Sequence, residues 1–166
     1  MAVSRGNQLA QDIRKKVAAL KQVCQGVDEN LASRAPTDMW SPKRILSHLC
    51  GPEDVGHLPI LKAFVDSDTP MIDLVTDNPF FTENRARMSF IELVAECEMN
   101  YQRVADFAAE LTEEQLARKA HIPKLKDSPL GEYPTLDEMT YGLGGYHVQS
   151  HIDQLRGILA ALSSNL

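Results

Sequence analysis

Hydrophobic residues recur every three or four positions through four segments of the chain, which is the pattern of amphipathic α-helices that each bury one stripe. No segment shows the sustained alternation of apolar and polar residues that is typical of a strand. The first predicted helix carries its apolar stripe over residues 9–31, and the sequence Ala35-Pro36-Thr37 ends it. This pattern predicts an all-α protein.

The second predicted helix begins at Ser41, which suits the N-cap position. Pro42 then occupies the first helical position, where no amide donor is needed. We expect this helix to continue to about residue 66, and to bend at Pro52 and Pro59 because each proline removes an internal hydrogen bond.

The third and fourth predicted helices start with the same device. Ser89 with Glu92, and Thr135 with Glu138, each fit a capping box, in which the two side chains satisfy free backbone amides at the helix start. The apolar stripe of the third helix continues over residues 93–111, and that of the fourth continues to the C-terminus.

Two long connections, residues 67–88 and 112–134, exceed ordinary helix–helix loops. Loops of this length often cover a functional site or carry short local structure, and a simply packed loop is an equal alternative. Four amphipathic helices without strands predict a helix bundle. Because 166 residues suffice for one domain with a core but are few for two, we expect residues 1–166 to form a single domain.

The composition excludes several classes of protein. Hydrophobic residues make up 43% of the chain and charged residues 24%, which is typical of soluble globular domains. The formal charge of −6 predicts no attraction to nucleic acid or to anionic lipid. We expect no membrane-spanning helix and no secretory signal, and therefore a cytoplasmic protein.

The three cysteines, Cys24, Cys50 and Cys97, are far apart in the sequence and form no CxxC pair. This spacing removes the usual redox and zinc-ribbon patterns. We expect all three to be reduced thiols that are buried as small hydrophobic side chains.

Polar residues interrupt the apolar stripes at several positions. Each residue of a helix is rotated by about 100° around the axis from the one before it. Viewed down this axis, His151 lies about 40° to one side of His147, and Gln154 lies about 20° to the other side. His48 also falls on the apolar side of its helix, because Val55 and Ile45 flank it. On the same helix His57 comes out about 180° from His48, so we expect it to face solvent or a neighbouring loop.

Buried imidazoles need hydrogen-bond partners or a metal, since an unpaired buried polar group costs about 1–3 kcal/mol. The i,i+4 spacing of His147 and His151 places both rings on one side of the helix, as in helical metal sites. An inward-facing His48 on another helix can complete such a face. Two interpretations remain open on these residues alone: a metal site, and core histidines that are hydrogen-bonded internally.

Three glycines, Gly142, Gly144 and Gly145, precede His147 in the fourth helix. Each costs about 0.5–1 kcal/mol relative to alanine inside a helix. Their presence indicates either close packing of backbones or space beside the histidines, and the two explanations are compatible.

Two helical segments resemble the DinB/YfiT-like superfamily. The sequence WSPKRILSHL at residues 40–49 resembles that family's segment of a tryptophan, a helix start, a histidine and a leucine. The sequence HVQSHIDQL at residues 147–155 is similar to the HxxxHxxQL pattern of its closing helix. Spacing and order agree over the whole chain, including LTEEQL at residues 111–116 after the third helix.

The resemblance implies a four-helix bundle with long crossover connections and a divalent metal, often nickel or zinc, that three histidines hold. Carried over position by position, the ligands would be His48, His147 and His151. Pro52 and Pro59 after the first ligand depart from the regular pattern of the family.

Three neutral nitrogen ligands leave at least one coordination position open, as in catalytic sites, whereas structural zinc is usually closed by four protein ligands. A divalent ion lowers the pKa of a coordinated water or thiol. The family includes thiol-dependent transferases and isomerases. The resemblance therefore implies that the metal activates a low-molecular-weight thiol cosubstrate, or water in a hydrolase, for attack on a small electrophilic molecule.

Several other residues are candidates for supporting roles. Gln154 would support a ligand or contact the substrate, and Tyr101 and Tyr146 are candidate hydroxyl contacts, with packing as the alternative for both. The sequence spacing of His57 and His121 does not indicate that either belongs to the site.

A second class of function also remains open, a stress-related binding or scaffolding bundle in which a metal only stabilises the fold. Imidazole binds both zinc and nickel, and the resemblance also implies a homodimer as one assembly.

Overall fold

The computed structural model describes residues 2–164, which form helices joined by turns and irregular connections and contain no strand. Isolated bridges join Met71 to His121 and Lys119 to Thr135. The prediction of an all-α protein is therefore confirmed. Within the same range, no helix combines the length and the apolar character that crossing a membrane requires.

Each long helix of the bundle packs against two neighbours around one core. The helices are, in chain order, α1 (Arg5–Cys24), α2 (Glu29–Ser33), α3 (Pro42–Cys50), α4 (Leu58–Asp66), α5 (Glu83–Arg87), α6 (Phe90–Ala109), α7 (Glu113–Leu116), α8 (Leu136–Tyr141) and α9 (His147–Ser163). A π-helical turn (Gly142–Tyr146) joins α8 to α9, and a 3₁₀ turn (Pro123–Leu125) follows α7. Around the core the order is α1, α6, α3, α9 and back to α1.

The first predicted helix is broken in the structure. α1 ends before Gly26, whose backbone is left-handed with φ 76°. Glycine is the usual residue at such a helix end, because it has no side chain that clashes there. Asp28 then caps α2 by accepting a hydrogen bond from the amide of Leu31 at 2.7 Å. The apolar periodicity continues across the break because Val27 and Leu31 pack on the same core.

The second predicted helix is two helices, so the prediction of one bent helix is wrong. α3 ends before Gly51, which has a left-handed backbone with φ 73°. Pro52 lies in the connecting turn, and Pro59 lies in the first turn of α4, where neither proline breaks a helical hydrogen bond. The helical phase therefore does not extend from His48 to His57.

Both predicted capping boxes are present. The Ser89 amide donates to Glu92 at 2.7 Å, and the Glu92 amide donates to the Ser89 hydroxyl at 3.2 Å. At the start of α8 the corresponding distances between Thr135 and Glu138 are 2.8 Å and 3.1 Å. These local motifs set the starts of two of the helices that form the bundle.

The two long connections pair with each other outside the bundle. The Ile72 amide donates to the His121 carbonyl at 2.9 Å, and the His121 amide donates to the Pro70 carbonyl at 2.8 Å. Each connection also carries short helical structure, α5 in the first and α7 with the 3₁₀ turn in the second. Backbone hydrogen bonds thus join the two connections to each other.

Arg85 fastens the first connection to α3. Its side chain is fully buried, and one of its terminal nitrogens donates to the carbonyls of Gly51 at 2.6 Å and of Phe80 at 3.1 Å. The same nitrogen reaches the Ser47 carbonyl at 3.1 Å, and the other terminal nitrogen pairs with Glu96 at 2.9 Å. One side chain thus links α3, the connection and α6.

The three cysteines, Cys24, Cys50 and Cys97, are free and buried, as predicted. Burial raises the pKa of the Cys24 thiol to about 12, so that thiol stays protonated at neutral pH. These side chains belong to the hydrophobic core.

Gly144 allows α1 to approach the π-helical turn closely. A Cβ atom at this position would lie 2.5 Å from Cγ1 of Ile13, which is buried on α1. We expect Gly144→Ala to lower the free energy of unfolding by about 1–3 kcal/mol, because the added methyl group overpacks the core. Urea unfolding measures this change.

Gly157 is the matched control, since it lies in α9 and a Cβ there would meet no atom within 4 Å. Gly157→Ala should raise the free energy of unfolding by about 0.5–1 kcal/mol through higher helix propensity. Equal stabilisation by both substitutions would contradict the close contact at Gly144.

Candidate metal centre

Three histidines from two helices converge at one point beside the core. His48 lies near the end of α3, while His147 and His151 lie in the first turns of α9. The Nε2 atom of His147 is 2.9 Å from Nε2 of His48 and 3.1 Å from Nε2 of His151. All three ligand atoms lie within 4.8 Å of one another. The structure thus brings together the three histidines that the sequence singled out.

Hydrogen bonds at the outer nitrogens orient two of these rings. Nδ1 of His48 lies 2.6 Å from the carbonyl oxygen of Asn78, and Nδ1 of His151 lies 2.7 Å from Oε1 of Gln154. Because both oxygens only accept, each Nδ1 carries the proton and each Nε2 presents a lone pair to the cluster. Such partners are typical of histidines that bind metals.

The cluster suits a cation better than it suits hydrogen bonds among its own rings. Nε2 of His147 carries at most one proton, so it can donate to only one of the two facing lone pairs. Its buried Nδ1 has no hydrogen-bond partner within residues 2–164. Ligand nitrogens about 3.3 Å apart are expected around tetrahedral zinc, and the two distances from Nε2 of His147 are close to this value. The donor set therefore fits a divalent metal.

Two histidines of the cluster, His147 and His151, are neutral at neutral pH. Burial lowers the pKa of His147 to about 3, and the nearby rings of His151 and His48 add to this, because a second protonated ring beside them is unfavourable. Burial also lowers the pKa of His151. Neutral imidazole is the form that binds metals, so the lone pair of His147 stays available well below pH 7.

A cavity of about 630 Å³ opens beside the three histidines. Its walls come from the bundle and from both long connections, and they are mainly apolar; they include Trp40, Leu74, Leu125, Leu130, Met139 and Leu143. The volume is typical of sites for small molecules. The long connections therefore do border a potential site.

The glycines before His147 serve both of the roles that the sequence allowed. Gly144 and Ile13 pack closely, as described above, whereas Gly142 lines the cavity. The π-helical turn shifts the helical register, so that the buried stripe of α9 runs through Val148 and Ile152. The two histidines consequently lie at the edge of the stripe, facing the cavity.

Of the two surroundings expected for His57, solvent or a neighbouring loop, the structure shows the second. Its Nε2 atom is buried without a hydrogen-bond partner within the described residues, and its ring lies 6.1 Å from the ring of His147, between centroids. It also contacts Phe80 of the neighbouring connection, at 6.3 Å. Burial lowers its pKa to about 4. The helical phase did not predict that His57 lies near His147, because Gly51 ends α3 and changes the chain direction before His57.

The remaining candidates lie at different distances from the cluster. Gln154 holds His151 and lines the cavity, and Tyr146 is exposed at the cavity rim. Tyr101 is buried and borders a separate cavity between α1 and α6, so the structure does not bring it to the histidines. His121 lies outside the cluster, where it pairs with Glu132 at 2.8 Å and stacks on Tyr133.

Sequence reasoning missed several residues of the site. Asn78 contributes a backbone carbonyl, which has no signature in the sequence. Asp38 lies in the connection between α2 and α3, Asp77 lies in the first long connection, and both line the cavity. Hydrophobic periodicity does not predict how such irregular segments pack. The dipeptide Asn78-Pro79 in the first connection is typical of a turn.

Comparison with known proteins identifies the fold. No protein-family model matches this chain, and no curated protein matches it significantly. Among solved structures, the chain is similar to YfiT from Bacillus subtilis, which is described as a probable metal-dependent hydrolase with an unusual four-helix bundle topology. The sequences are 18% identical, and the TM-score is 0.73 over 99% of this chain and 89% of YfiT. The predicted four-helix bundle is thereby confirmed, and the chain has the fold of YfiT.

Proposed function

We propose that the protein is a metal-dependent enzyme in which His48, His147 and His151 bind a divalent ion, with zinc or nickel as the metal. The reaction is attack of a low-molecular-weight thiol, or of water, on a small electrophilic molecule. The observation that carries this proposal is the convergence of three Nε2 atoms on one side of an apolar cavity. The description of YfiT as a metal-dependent hydrolase supports the same class of chemistry.

A divalent ion at this site would supply the means to deprotonate a bound thiol or water near neutral pH. The residues of the chain would prepare the site for this chemistry. Asn78 and Gln154 hold His48 and His151 in the tautomer that offers Nε2. The apolar walls would exclude water, which strengthens electrostatic interactions inside. Tyr146 would donate a hydrogen bond to a substrate at the rim.

The test is metal analysis followed by an activity panel. The purified full chain is loaded with zinc or nickel and assayed with low-molecular-weight thiols and a generic electrophile, and with simple esters for hydrolysis. We expect one ion per chain, and metal-dependent conjugation or hydrolysis that a chelator abolishes. The metal-free protein should remain folded, because metal at 100 times its dissociation constant adds only about 2.7 kcal/mol.

Two results would contradict the proposal. Full metal occupancy without turnover on a broad panel, together with melting on chelation, would indicate a scaffolding bundle with a structural metal. Failure to bind any divalent ion would indicate histidines that are only hydrogen-bonded to one another.

A further inference from the structure

The walls of the cavity beside the three histidines carry no positive side chain. Among the residues that the structure describes, those lining it include no lysine and no arginine. Apart from the proposed metal ion, its formally charged groups are the carboxylates of Asp38 and Asp77. A site built for an anionic substrate usually offers an arginine or lysine, and this cavity offers neither.

The two aspartates are exposed and come from different parts of the chain. Asp38 precedes α3, and Asp77 lies in the first long connection, next to the Asn78 that holds His48. Neither carboxylate takes part in an ion pair within residues 2–164. Both carboxylates therefore keep their negative charge uncompensated on the cavity wall.

Aromatic groups that line the cavity also favour a positively charged ligand. Trp40 and Tyr146 line the cavity, and Tyr146 is largely exposed at its rim. Aromatic faces attract cations through the negative potential above the ring. The net charge of −6 adds a long-range negative field that also attracts cations.

We propose that the substrate of this site is a small apolar molecule that carries a positive charge, such as an amine or a quaternary ammonium compound. Its apolar part occupies the cavity, and its charged end lies near Asp38 and Asp77. Compounds with a carboxylate or phosphate at that end are disfavoured. This proposal rests on the proposed metal-dependent function, because the reacting end must reach the three histidines.

The test measures binding, by calorimetry, to the zinc-loaded full chain at low ionic strength. Its probes are three thiols on the same six-carbon chain, which differ in carrying a trimethylammonium, a hydroxyl or a carboxylate group at the other end. The thiol anchors each probe at the zinc, so the far group reports the charge preference of the cavity. We expect the ammonium probe to bind about tenfold more tightly than the carboxylate probe, with the hydroxyl probe between them.

Two aspartate variants make the test specific. The double substitution Asp38→Asn with Asp77→Asn should reduce the preference to about twofold. Asparagine preserves size and tolerates the left-handed backbone at both positions, with φ 60° and φ 57°. Asp54→Asn is the matched control, since Asp54 is exposed and left-handed, with φ 69°, but does not line the cavity. It should leave the preference unchanged.

The possible failures are distinguishable. If zinc binds and the three thiols bind equally, or the carboxylate probe binds best, the charge preference is wrong and the metal site stands. If zinc binds and none of the thiols does, the cavity does not take such substrates and the proposal is overturned. If zinc itself does not bind, the proposed function fails first. An unchanged preference in the double variant would also overturn the role of the aspartates.

Discussion

Replacing Arg85 with methionine is expected to lower the free energy of unfolding by about 3–5 kcal/mol, since removing one partner of a buried ion pair leaves the other charge uncompensated. Glu96, whose side chain is 14% exposed, would lose its partner at 2.9 Å. The Gly51 carbonyl would also lose its donor, and the Phe80 carbonyl would lose one of three. Urea unfolding followed by circular dichroism measures the change in midpoint and slope.

Arg87→Met is the matched control, because Arg87 lies on the same short helix and pairs with Glu83 in an exposed bridge at 3.5 Å. Its removal should change the free energy of unfolding by no more than about 0.5 kcal/mol. The double variant Arg85→Met with Glu96→Leu should recover part of the loss, since neither charge then remains buried alone. A loss at Arg85 no larger than that at Arg87 would show that the buried pair does not hold the connection in place.

The second large effect is expected at the metal centre. His147→Ala should weaken zinc binding by more than about 100-fold. Removing a residue that only supports a ligand lowers metal affinity by about 10–100-fold, and removing the ligand itself should lower it further. Its Nε2 atom lies between those of His48 and His151, so the remaining pair would lack the central donor. Equilibrium dialysis with elemental analysis gives the affinity.

The fold should survive this substitution. With zinc in excess the wild-type melting temperature should rise, whereas that of His147→Ala should not change. The reason is that a metal raises the melting temperature only of a folded protein that binds it. His57→Ala is the demanding control, since its ring is near His147 but outside the ligand cluster. We expect near wild-type zinc occupancy there. Full occupancy in His147→Ala would refute the ligand assignment.

Local sequence information was sufficient where the determining contacts are local. The capping boxes at Ser89 and Thr135 are complete within four residues, so their pattern predicted two helix starts correctly. The i,i+4 spacing of His147 and His151 is likewise a property of one helix, and it predicted that the two rings lie together.

Where the sequence prediction failed, a backbone conformation or a distant contact was decisive. The angle computed between His48 and His57 did not predict that His57 lies near His147, because Gly51 adopts φ 73° and ends α3. Beyond Gly51, helical geometry no longer relates His57 to His48. Arg85 is fully buried although arginine is rarely so. Its burial depends on carbonyls of α3 and of the connection, which the periodicity of a single helix does not reveal.

The sequence by itself determined the all-α class, the amphipathic stripes and the three histidines. The reason is that the apolar period and the helical spacing depend only on residues close together in the sequence. Only the tertiary structure decided that His48 meets the other two rings, that Asn78 orients it, and that Asp38 and Asp77 face one cavity. The physical reason is that chain segments far apart in sequence meet through the packing of the whole bundle. The charge of the site was therefore decided by folding rather than by any single motif.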